Sequence, residues 1–506
     1  MWAATDLQLS ADKIQFLADF DGNKYIDLLV SRGDDLYAFT QFSSNNKVTF
    51  QSSKLDMSIK DVVKIYVTSL NADGYPDMAL ISPKTIQFYK GQEGNKYSQF
   101  DGKSLTTSSS NVYIRDINYD GISDILVIND SSIDIYISKK EATTPDYNKV
   151  TLDVKAKTIL FLDADGDCIT DLLVMDTSSN YIVYSINHGN SFTASQFSDV
   201  YTQIYKSSVP SFCGFIGVGD FDRNGSLDIL YDDCTKLQLL KNGIGDSTTC
   251  GKQTPSFTTT SIKIQGTDST LKQSNQVCFG DLNSDSFLDI IYLGTNNKLY
   301  SLTNLKGLVF NHEQLTLDSD RLIQQFSCFD YNHNGFFNLA VVSSNQLFVL
   351  QNQDQNHNYF LKLSGLIDCN DCAVDLPPAT HSNFKFYLSD EYGDKHGMAL
   401  SHSNIHLSLS YQWIGLGSIT NYIPTLSMAT FKIISQDGII PNSHLYFFND
   451  AIQLYMKMGD AFIVIAVLVA SSVILLGLII WLHRRETRED IRLTMMSANR
   501  VLLRGL

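Results

Sequence analysis

The sequence is poor in basic residues and has no cluster of them in its main body. It contains 38 lysines and arginines against 54 aspartates and glutamates in 506 residues, which gives a net charge of -16. A surface of that sign repels the phosphate backbone of nucleic acids. The composition therefore argues against nucleic-acid binding, and the length predicts two or three structural units rather than one core.

The short motifs of common enzyme classes are also missing. The sequence has no Gly-x-Ser-x-Gly elbow, no phosphate-binding glycine loop and no His-Glu-x-x-His pair. Its many carboxylates follow a metal-binding spacing, described below. We therefore predict a protein without enzymatic activity, with an enzyme that uses carboxylates around a central channel as the alternative.

The two Cys-x-x-Cys pairs of a typical zinc site are absent among the eight cysteines. Disulfides formed in an oxidising compartment explain these residues better than a metal site does. We predict one disulfide between Cys234 and Cys250 and another between Cys369 and Cys372. Three further cysteines follow apolar runs that lead into acidic loops, and we expect them to be buried free thiols: Cys213, Cys278 and Cys328.

The N-terminal residues contain no apolar segment typical of a secretory signal, although one long apolar run lies near the C-terminus. Residues 461–482 (AFIVIAVLVASSVILLGLIIWL) carry no charge, and a helix of that length crosses about 30 Å of hydrocarbon. We predict a transmembrane helix there, with a buried core helix as the alternative.

Arginine outnumbers acidic residues after this run, since residues 483–506 contain six arginines and three acids. The positive-inside rule then assigns a basic cytoplasmic tail to 483–506 and an extracellular or luminal side to the residues before the span. We expect a single-pass type I membrane protein whose signal peptide is missing from this sequence, either cleaved or lost.

The strongest positive pattern is a nine-residue acidic loop that recurs seven times between apolar runs. Its template is Asp-x-Asp/Asn-x-Asp/Asn-Gly-x-x-Asp, and successive copies lie 47 to 61 residues apart at the ninth position. That period holds four short strands, and sheets of this size are stable when stacked around a ring. We predict an all-β fold with a seven-bladed β-propeller over residues 1–358, closed by pairing of Leu7–Leu9 with strands near Leu347–Leu363.

The loops alternate side-chain oxygens in the way that calcium requires, because Ca²⁺ takes six to eight hard oxygen ligands from flexible loops. An Asx-rich turn without metal is the alternative for any one loop, but seven copies in register favour Ca²⁺. We expect about five occupied loops, the second and seventh being doubtful because they keep two and one carboxylates. The predicted ligands are Asp19, Asp21, Asn23 and Asp27; Asn71, Asp73 and Asp77; Asp116, Asn118, Asp120 and Asp124; Asp163, Asp165, Asp167 and Asp171; Asp220, Asp222, Asn224 and Asp228; and Asp281, Asn283, Asp285 and Asp289.

Two local patterns add to this description. The tripeptide Asn129-Asp-Ser131 matches the acceptor for N-linked glycosylation, and we predict a glycan on Asn129. Residues 359–455 alternate apolar and polar positions in short pieces, as in Phe384–Leu388, which predicts a membrane-proximal β-sandwich.

Over residues 14 to about 350, the loops and the strands that follow them resemble the FG-GAP repeats of integrin α-subunit propellers. The segments Tyr411-Gln-Trp-Ile-Gly415-Leu-Gly417 and Ile440-Pro441-Asn442-Ser443-His-Leu445, followed by one span and a basic tail, resemble the T-cell immunomodulatory protein family. The resemblance implies a type I membrane glycoprotein without catalytic activity that modulates T-cell responses.

These observations together predict a binding protein. Calcium would rigidify one face of the propeller, and another face would bind a protein partner on the extracellular or luminal side. A lectin-like or carbohydrate-active propeller is the alternative, so glycan binding stays open.

Overall fold

We describe the protein from a computed structural model, in which residues Met1–Tyr455 form one compact unit and Met456–Leu506 a second. The structure describes residues 2–19, 23, 25–44, 47–71, 73, 75–92, 94, 96–118, 120–139, 144–186, 200–244, 250–265, 276–315, 322–331, 335–353, 359–365, 383–389, 395–401, 412–417, 423–429, 433–439, 442–448, 451–455 and 461–502.

Seven small, almost entirely antiparallel sheets make up the first part of the chain, and nearly all keep their strands in sequence order. In each sheet the acidic loop joins the first strand to the second, and its ninth residue begins the second strand. Second strands such as Asp124–Ile128 are buried throughout, because a short apolar run bounded by turns favours a central strand. Sheets 1 to 3 contain β2 (Lys13–Ala18), β3 (Asp27–Arg32), β4 (Asp35–Ser44) and β5 (Lys47–Ser58); β6 (Lys64–Thr68), β7 (Asp77–Ile81), β8 (Thr85–Gln92) and β9 (Lys96–Thr106); and β10 (Val112–Arg115), β11 (Asp124–Ile128), β12 (Ile133–Ser138) and β13 (Tyr147–Leu152).

The later sheets follow the same plan with two additions. Sheet 6 gains a parallel fifth strand at its edge, and the outer strand of sheet 7 comes from the N-terminus. Sheets 4 to 7 contain β14 (Ala156–Leu162), β15 (Asp171–Asp176), β16 (Asn180–Ile186) and β17 (Tyr201–Ser208); β18 (Gly214–Gly219), β19 (Asp228–Asp232), β20 (Leu237–Asn242) and β21 (Phe257–Ser261); β22 (Lys263–Gln265), β23 (Val277–Gly280), β24 (Asp289–Leu293), β25 (Leu299–Asn304) and β26 (Val309–Gln314); and β27 (Gln325–Phe329), β28 (Asn338–Ser343), β29 (Gln346–Asn352) and β1 (Trp2–Ser10).

The apolar cores lie between consecutive sheets. Separate clusters join sheets 1 and 2, 2 and 3, 3 and 4, 4 and 5, and 5 and 6, and one more joins sheets 6, 7 and 1. Strand β1 pairs antiparallel with β29, with Leu9 opposite Leu347. This pairing confirms the predicted closure, and the arrangement of many small antiparallel sheets is compatible with a propeller-like fold.

Two further four-stranded sheets follow, and they share one apolar core that includes Leu361, Phe384 and Ile414. The sandwich predicted for 359–455 and its boundary between 358 and 359 stay predictions, because the chain to Tyr455 is one compact unit. Sheets 8 and 9 contain β30 (Tyr359–Gly365), β33 (Gln412–Gly417), β36 (Ser443–Phe448) and β37 (Ala451–Tyr455); and β31 (Asn383–Ser389), β32 (Lys395–Ser401), β34 (Ile423–Ala429) and β35 (Ile433–Ile439).

Helix α1 (Ala461–Leu502) begins where the apolar run begins and continues through most of the basic tail. Within the part of the chain that the structure describes, no helix combines the length and apolar character needed to cross a membrane. The span predicted over 461–482 and the tail at 483–506 therefore stay predictions.

The disulfides correct the predicted cysteine pairing. Cys234 bonds to Cys213 and not to Cys250, because β18 and β19 pair antiparallel and bring the residues that flank them together. Cys250 bonds to Cys168 in the acidic loop of sheet 4. The free thiols expected at 213, 278 and 328 are wrong as well, since Cys278 and Cys328 join the first strands of sheets 6 and 7. Cys369 and Cys372 lie outside the described residues.

Candidate metal sites

In six of the seven loops the first residue is an aspartate whose carboxylate accepts hydrogen bonds from backbone nitrogens of its own turn. Asp116 of sheet 3 accepts hydrogen bonds from the backbone nitrogens of Asp120 and Gly121, at 3.1 and 2.8 Å. Wherever the structure describes it, the sixth residue lies in the left-handed region, as Gly121 does at φ +87°, and non-glycine residues take the same conformation at Cys168 and Ser286. The turn geometry predicted from the glycine is therefore present even where glycine is replaced.

The ninth residue holds the loop to the rest of its sheet. In sheet 3, Asp124 accepts from the Ile117 backbone nitrogen at 2.9 Å and from the Ser138 nitrogen at 2.6 Å. The same two contacts, one to the second loop residue and one to the third strand, recur for the ninth residues of sheets 2, 5 and 6: Asp77, Asp228 and Asp289. This carboxylate thus accepts hydrogen bonds from two backbone nitrogens, a role that was not predicted from the sequence.

Three carboxylates converge in the loop of sheet 4. Asp163, Asp165 and Asp171 are buried, and carboxylate oxygens from all three lie within 4.8 Å of one another. Asp171 accepts from the Ala164 nitrogen through Oδ2 at 2.9 Å, whereas its buried Oδ1 has no hydrogen-bond partner among the described residues. A buried carboxylate oxygen without a partner is costly. The loop therefore offers an unsatisfied acceptor beside two other carboxylates.

Burial and mutual repulsion raise the pKa values of these groups. Burial raises the pKa of Asp171 well above its ordinary value, and neighbouring Asp165, Asp163 and Asp167 raise it further. Burial, followed by Asp165, raises the pKa of Asp167 to about 7. Burial also raises the pKa of Asp163, although the ammonium of Lys385 opposes the rise. Near neutral pH the loop cannot keep all its carboxylates ionised without more positive charge.

A second cluster lies in the loop of sheet 5, where Asp220, Asp222 and Asp228 meet the same distance criterion. Lys241 forms an ion pair with Asp222. Burial, then Asp222, raises the pKa of Asp220 to about 8. Asn224 does not point its amide nitrogen into the cluster but donates it to the Asn242 carbonyl at 2.9 Å. This loop is acidic but already partly neutralised.

In the remaining loops, as far as the structure describes them, three carboxylates do not converge in this way. The amide nitrogens of Asn71, Asn118 and Asn283 donate to the carboxylates two residues later, at 2.9 to 3.0 Å. Through these hydrogen bonds the asparagine amides stabilise the negative charge of the carboxylates inside each turn. In the loop of sheet 1, Asp19, Asn23 and Asp27 are described and Asp21 is not, and in sheet 7 Asn332 and Asn334 are also outside the described residues.

Sheets 8 and 9 contact the first aspartate of four consecutive loops. Lys385 of β31 lies 3.4 Å from Asp163, and Lys362 of β30 forms an ion pair with Asp330. Backbone nitrogens reach the other two loops: the Ala399 nitrogen donates to Asp220 at 3.0 Å and the Gly415 nitrogen to Asp281 at 3.1 Å. These contacts were not predicted from the sequence, whose one available signal is a single lysine inside each of two apolar strands, YFLKLSG and NFKFYLS.

A second missed feature joins neighbouring sheets through side-chain amides. Asn242 at the end of β20 donates to the Ala164 carbonyl in the loop of the preceding sheet, at 2.9 Å. Asn304, Asn352 and Gln41 make the equivalent contact to the loops of sheets 5, 6 and 7, through the carbonyls of Phe221, Leu282 and Tyr331. The sequence signal is an amide side chain about 14 residues after the ninth loop position.

Asn129, the predicted glycosylation site, follows β11. Its amide nitrogen donates to Asp134 at 2.9 Å, and its side-chain oxygen accepts from Ser108 at 2.5 Å. The side chain is half-buried, and the glycan stays a prediction.

The FG-GAP-like repeat family matches residues 70–127. This match begins inside the loop of sheet 2 and ends in the second strand of sheet 3, so it includes the loop that joins β10 and β11. No curated protein matches the chain significantly.

Several solved structures resemble the chain weakly. A Lactobacillus plantarum protein is 11% identical over 79% of this chain and all of its own, with a TM-score of 0.42. An Agrocybe aegerita lectin that recognises non-reducing terminal N-acetylglucosamine is 14% identical over 60% of this chain and 80% of its own, with a TM-score of 0.39. The Photorhabdus luminescens Tc holotoxin pore is 13% identical over 70% of this chain, with a TM-score of 0.37, and the chain spans 14% of that protein's length. At these TM-scores the likenesses carry no argument, and the family match stands as an FG-GAP-like repeat at residues 70–127.

Proposed function

We propose that the chain is a non-enzymatic, membrane-anchored binding protein with a seven-bladed propeller stabilised by Ca²⁺, and that the loop of sheet 4 is its principal calcium site. The observation that carries the proposal is the convergence of Asp163, Asp165 and Asp171, with one buried oxygen of Asp171 unsatisfied within the described chain. Carboxylate oxygens in a tight loop are the donors that Ca²⁺ prefers. A bound Ca²⁺ would supply the positive charge that these carboxylates need to ionise together.

The loop of sheet 5 is the second candidate, although Lys241 and the Ala399 nitrogen already engage its carboxylates. The loops of sheets 1, 3 and 6 stay candidate sites with fewer converging groups. The loop of sheet 4 (loop 4) should therefore bind Ca²⁺ before the other loops and contribute most to stability, because it has the largest uncompensated negative charge.

The calcium proposal is tested by thermal unfolding of the full chain in detergent with excess Ca²⁺ or excess chelator. A ligand that binds only the folded state raises Tm by mass action, so chelation should lower Tm. Asp171→Asn should remove most of that difference, and Asp176→Asn, at the other end of β15, should leave it intact. An unchanged Tm in chelator for the wild type would reject a structural calcium site.

We place the partner-binding surface away from the loop ends of sheets 4 to 7. Sheets 8 and 9 already contact four loops there through Lys385, Ala399, Gly415 and Lys362. The opposite end of the ring therefore offers a protein partner more room. Proximity labelling on intact cells should recover such a partner, whereas calcium-dependent, specific binding on a glycan array would favour the lectin-like alternative.

The membrane anchor is proposed from the uncharged run at 461–482 and from the exposed apolar side chains of α1, among them Val473, Leu476 and Trp481. Exposed apolar surface of this extent requires a cover in water. Retention of the chain in the membrane fraction after alkaline extraction would support the anchor, and release into the supernatant would exclude it. The role in T-cell modulation that the family resemblance implies rests on that resemblance alone.

A further inference from the structure

Lys385 places a buried cation against the proposed calcium loop. Its ammonium lies 3.4 Å from Oδ2 of Asp163 and donates a hydrogen bond to the Gly166 carbonyl at 3.0 Å. The two charged side chains are 4% and 1% exposed. Gly166 has φ +86°, and a Cβ there would lie 3.2 Å from the lysine nitrogen. The loop is thus shaped to admit this ammonium group.

Lys362 provides a comparison, because it neutralises the negative charge of the loop of sheet 7 without a metal. It forms a buried ion pair with Asp330, the first residue of the loop of sheet 7. That loop has one carboxylate among its four template positions, the others being Asn332, Asn334 and Asn338. One ammonium balances one carboxylate, so the loop of sheet 7 has no charge left to attract a metal.

The charge balance is different in sheet 4, because its loop has four carboxylates. Lys385 offsets only one of them. A second lysine, Lys252, lies 3.4 Å from Asp165, but its side chain is 58% exposed and its charge is screened by solvent. Lys385 therefore leaves the site attractive to a divalent cation while occupying part of it.

We propose that Lys385 and Ca²⁺ compete for the loop of sheet 4. Lys385 acts as an internal counter-ion in the metal-free protein, and metal binding displaces its ammonium from Asp163 and loosens β31 over that loop. The inference rests on the calcium site proposed above. Two cations that share a buried carboxylate repel each other strongly, and the coupling is reciprocal, so removing the lysine must strengthen metal binding.

The displacement is local. Asn383, two residues before Lys385, donates to the Cys168 carbonyl at 2.9 Å and to the Thr170 hydroxyl at 3.0 Å. These contacts do not involve the carboxylates. They hold the first residue of β31 beside sheet 4, so the loosening is confined to the strand around Lys385.

Calcium titration calorimetry on the full chain in detergent tests the competition. The loop 4 site is identified as the binding event lost in Asp171→Asn. Lys385→Met should tighten that event by at least about tenfold, and the matched Lys362→Met should leave it within about twofold. An equal or weaker affinity in Lys385→Met would overturn the competition while leaving the calcium site intact. Absence of any event lost in Asp171→Asn would remove the calcium site and the competition together.

Hydrogen exchange on the wild type gives a second answer that does not depend on how the variants fold. Added Ca²⁺ should speed amide exchange in residues 383–389, where Lys385 is released, and leave exchange in 359–365 unchanged, where Lys362 stays paired. Slower or unchanged exchange in 383–389, at calcium concentrations that saturate the loop 4 event, would mean that the metal and the lysine bind together, contrary to the proposal.

Discussion

Asn242 donates a hydrogen bond to the carbonyl oxygen of Ala164, at 2.9 Å, and so joins the third strand of sheet 5 to the loop of sheet 4. Asn242 also anchors its own loop, because its backbone nitrogen donates to Asp228 at 2.9 Å. One fully buried residue therefore fixes two neighbouring loops. The equivalent contact from Gln41 to Tyr331 connects sheet 1 back to sheet 7.

Replacing Asn242 with alanine should lower the free energy of unfolding by about 1–3 kcal/mol, because the buried Ala164 carbonyl loses its donor. Asn311→Ala is the control, since that amide contacts an exposed glutamate and should cost at most about 0.5 kcal/mol. Urea unfolding of both variants measures the difference. Equal midpoints would show that the amide contact adds no stability.

Gly415→Ala should detach β33 from the loop of sheet 6. A Cβ at Gly415 would lie 2.3 Å from Asp281 Oδ2 and 2.4 Å from the Ser284 Cα, so the strand has to move. Overpacking of this kind costs about 1–3 kcal/mol. Gly214→Ala is the matched control, because a Cβ there meets no described atom within 4 Å. We expect a lower Tm and faster proteolysis within residues 359–455 for Gly415→Ala alone.

Removing the Cys168–Cys250 disulfide should cost more stability than removing Cys213–Cys234. The two bonds span 82 and 21 residues, and loop-closure entropy gives about 4.5 and about 3.3 kcal/mol respectively. The first bond also holds residues 251–253 against loop 4, where the Gly251 nitrogen donates to the Gly166 carbonyl at 2.9 Å. Denaturant unfolding of the two double Cys→Ser variants should give that order, and the reverse order would count against the loop argument.

Metal-free protein should lose stability as the pH rises from about 4 to about 8. Burial raises the folded-state pKa of Asp77 and of Asp220 to about 8, whereas the pKa of aspartate in the unfolded chain is about 4. Between these values the folded state binds more protons than the unfolded state, so unfolding becomes easier with rising pH. Tm measured in chelator should fall from pH 5 to pH 8, and Asp77→Asn should reduce the slope. A Tm that rises over this range would contradict the assignment.

The repeats could be predicted from the sequence because each acidic loop is formed by consecutive residues. Nine residues carry the whole turn, and the period between Asp77 and Asp124 is enough to predict four strands. The sequence also predicted that Leu9 would pair near Leu347, since only closure of the ring buries the last edge.

The contacts between segments that are far apart in the sequence could not be predicted from it. Lys385 meets Gly166 across 219 residues, and no periodic pattern links them. The disulfide partners of Cys234 and Cys250 depended on strand register, which spacing alone does not give. The backbone partners of the ninth loop residue, such as Ser138 for Asp124, could not be predicted either, because they lie on a strand whose position only the fold defines.

The pairing of β1 with β29 has a consequence for how the chain is made. Trp2–Ser10 is synthesised before the repeats, whereas its partner Gln346–Asn352 follows only after most of them. At a synthesis rate of about 5–20 residues per second, β1 remains without its partner strand for roughly 17 to 70 s. During that interval the nascent ring is open, so we expect the newborn chain to depend on chaperones until its last repeat is synthesised.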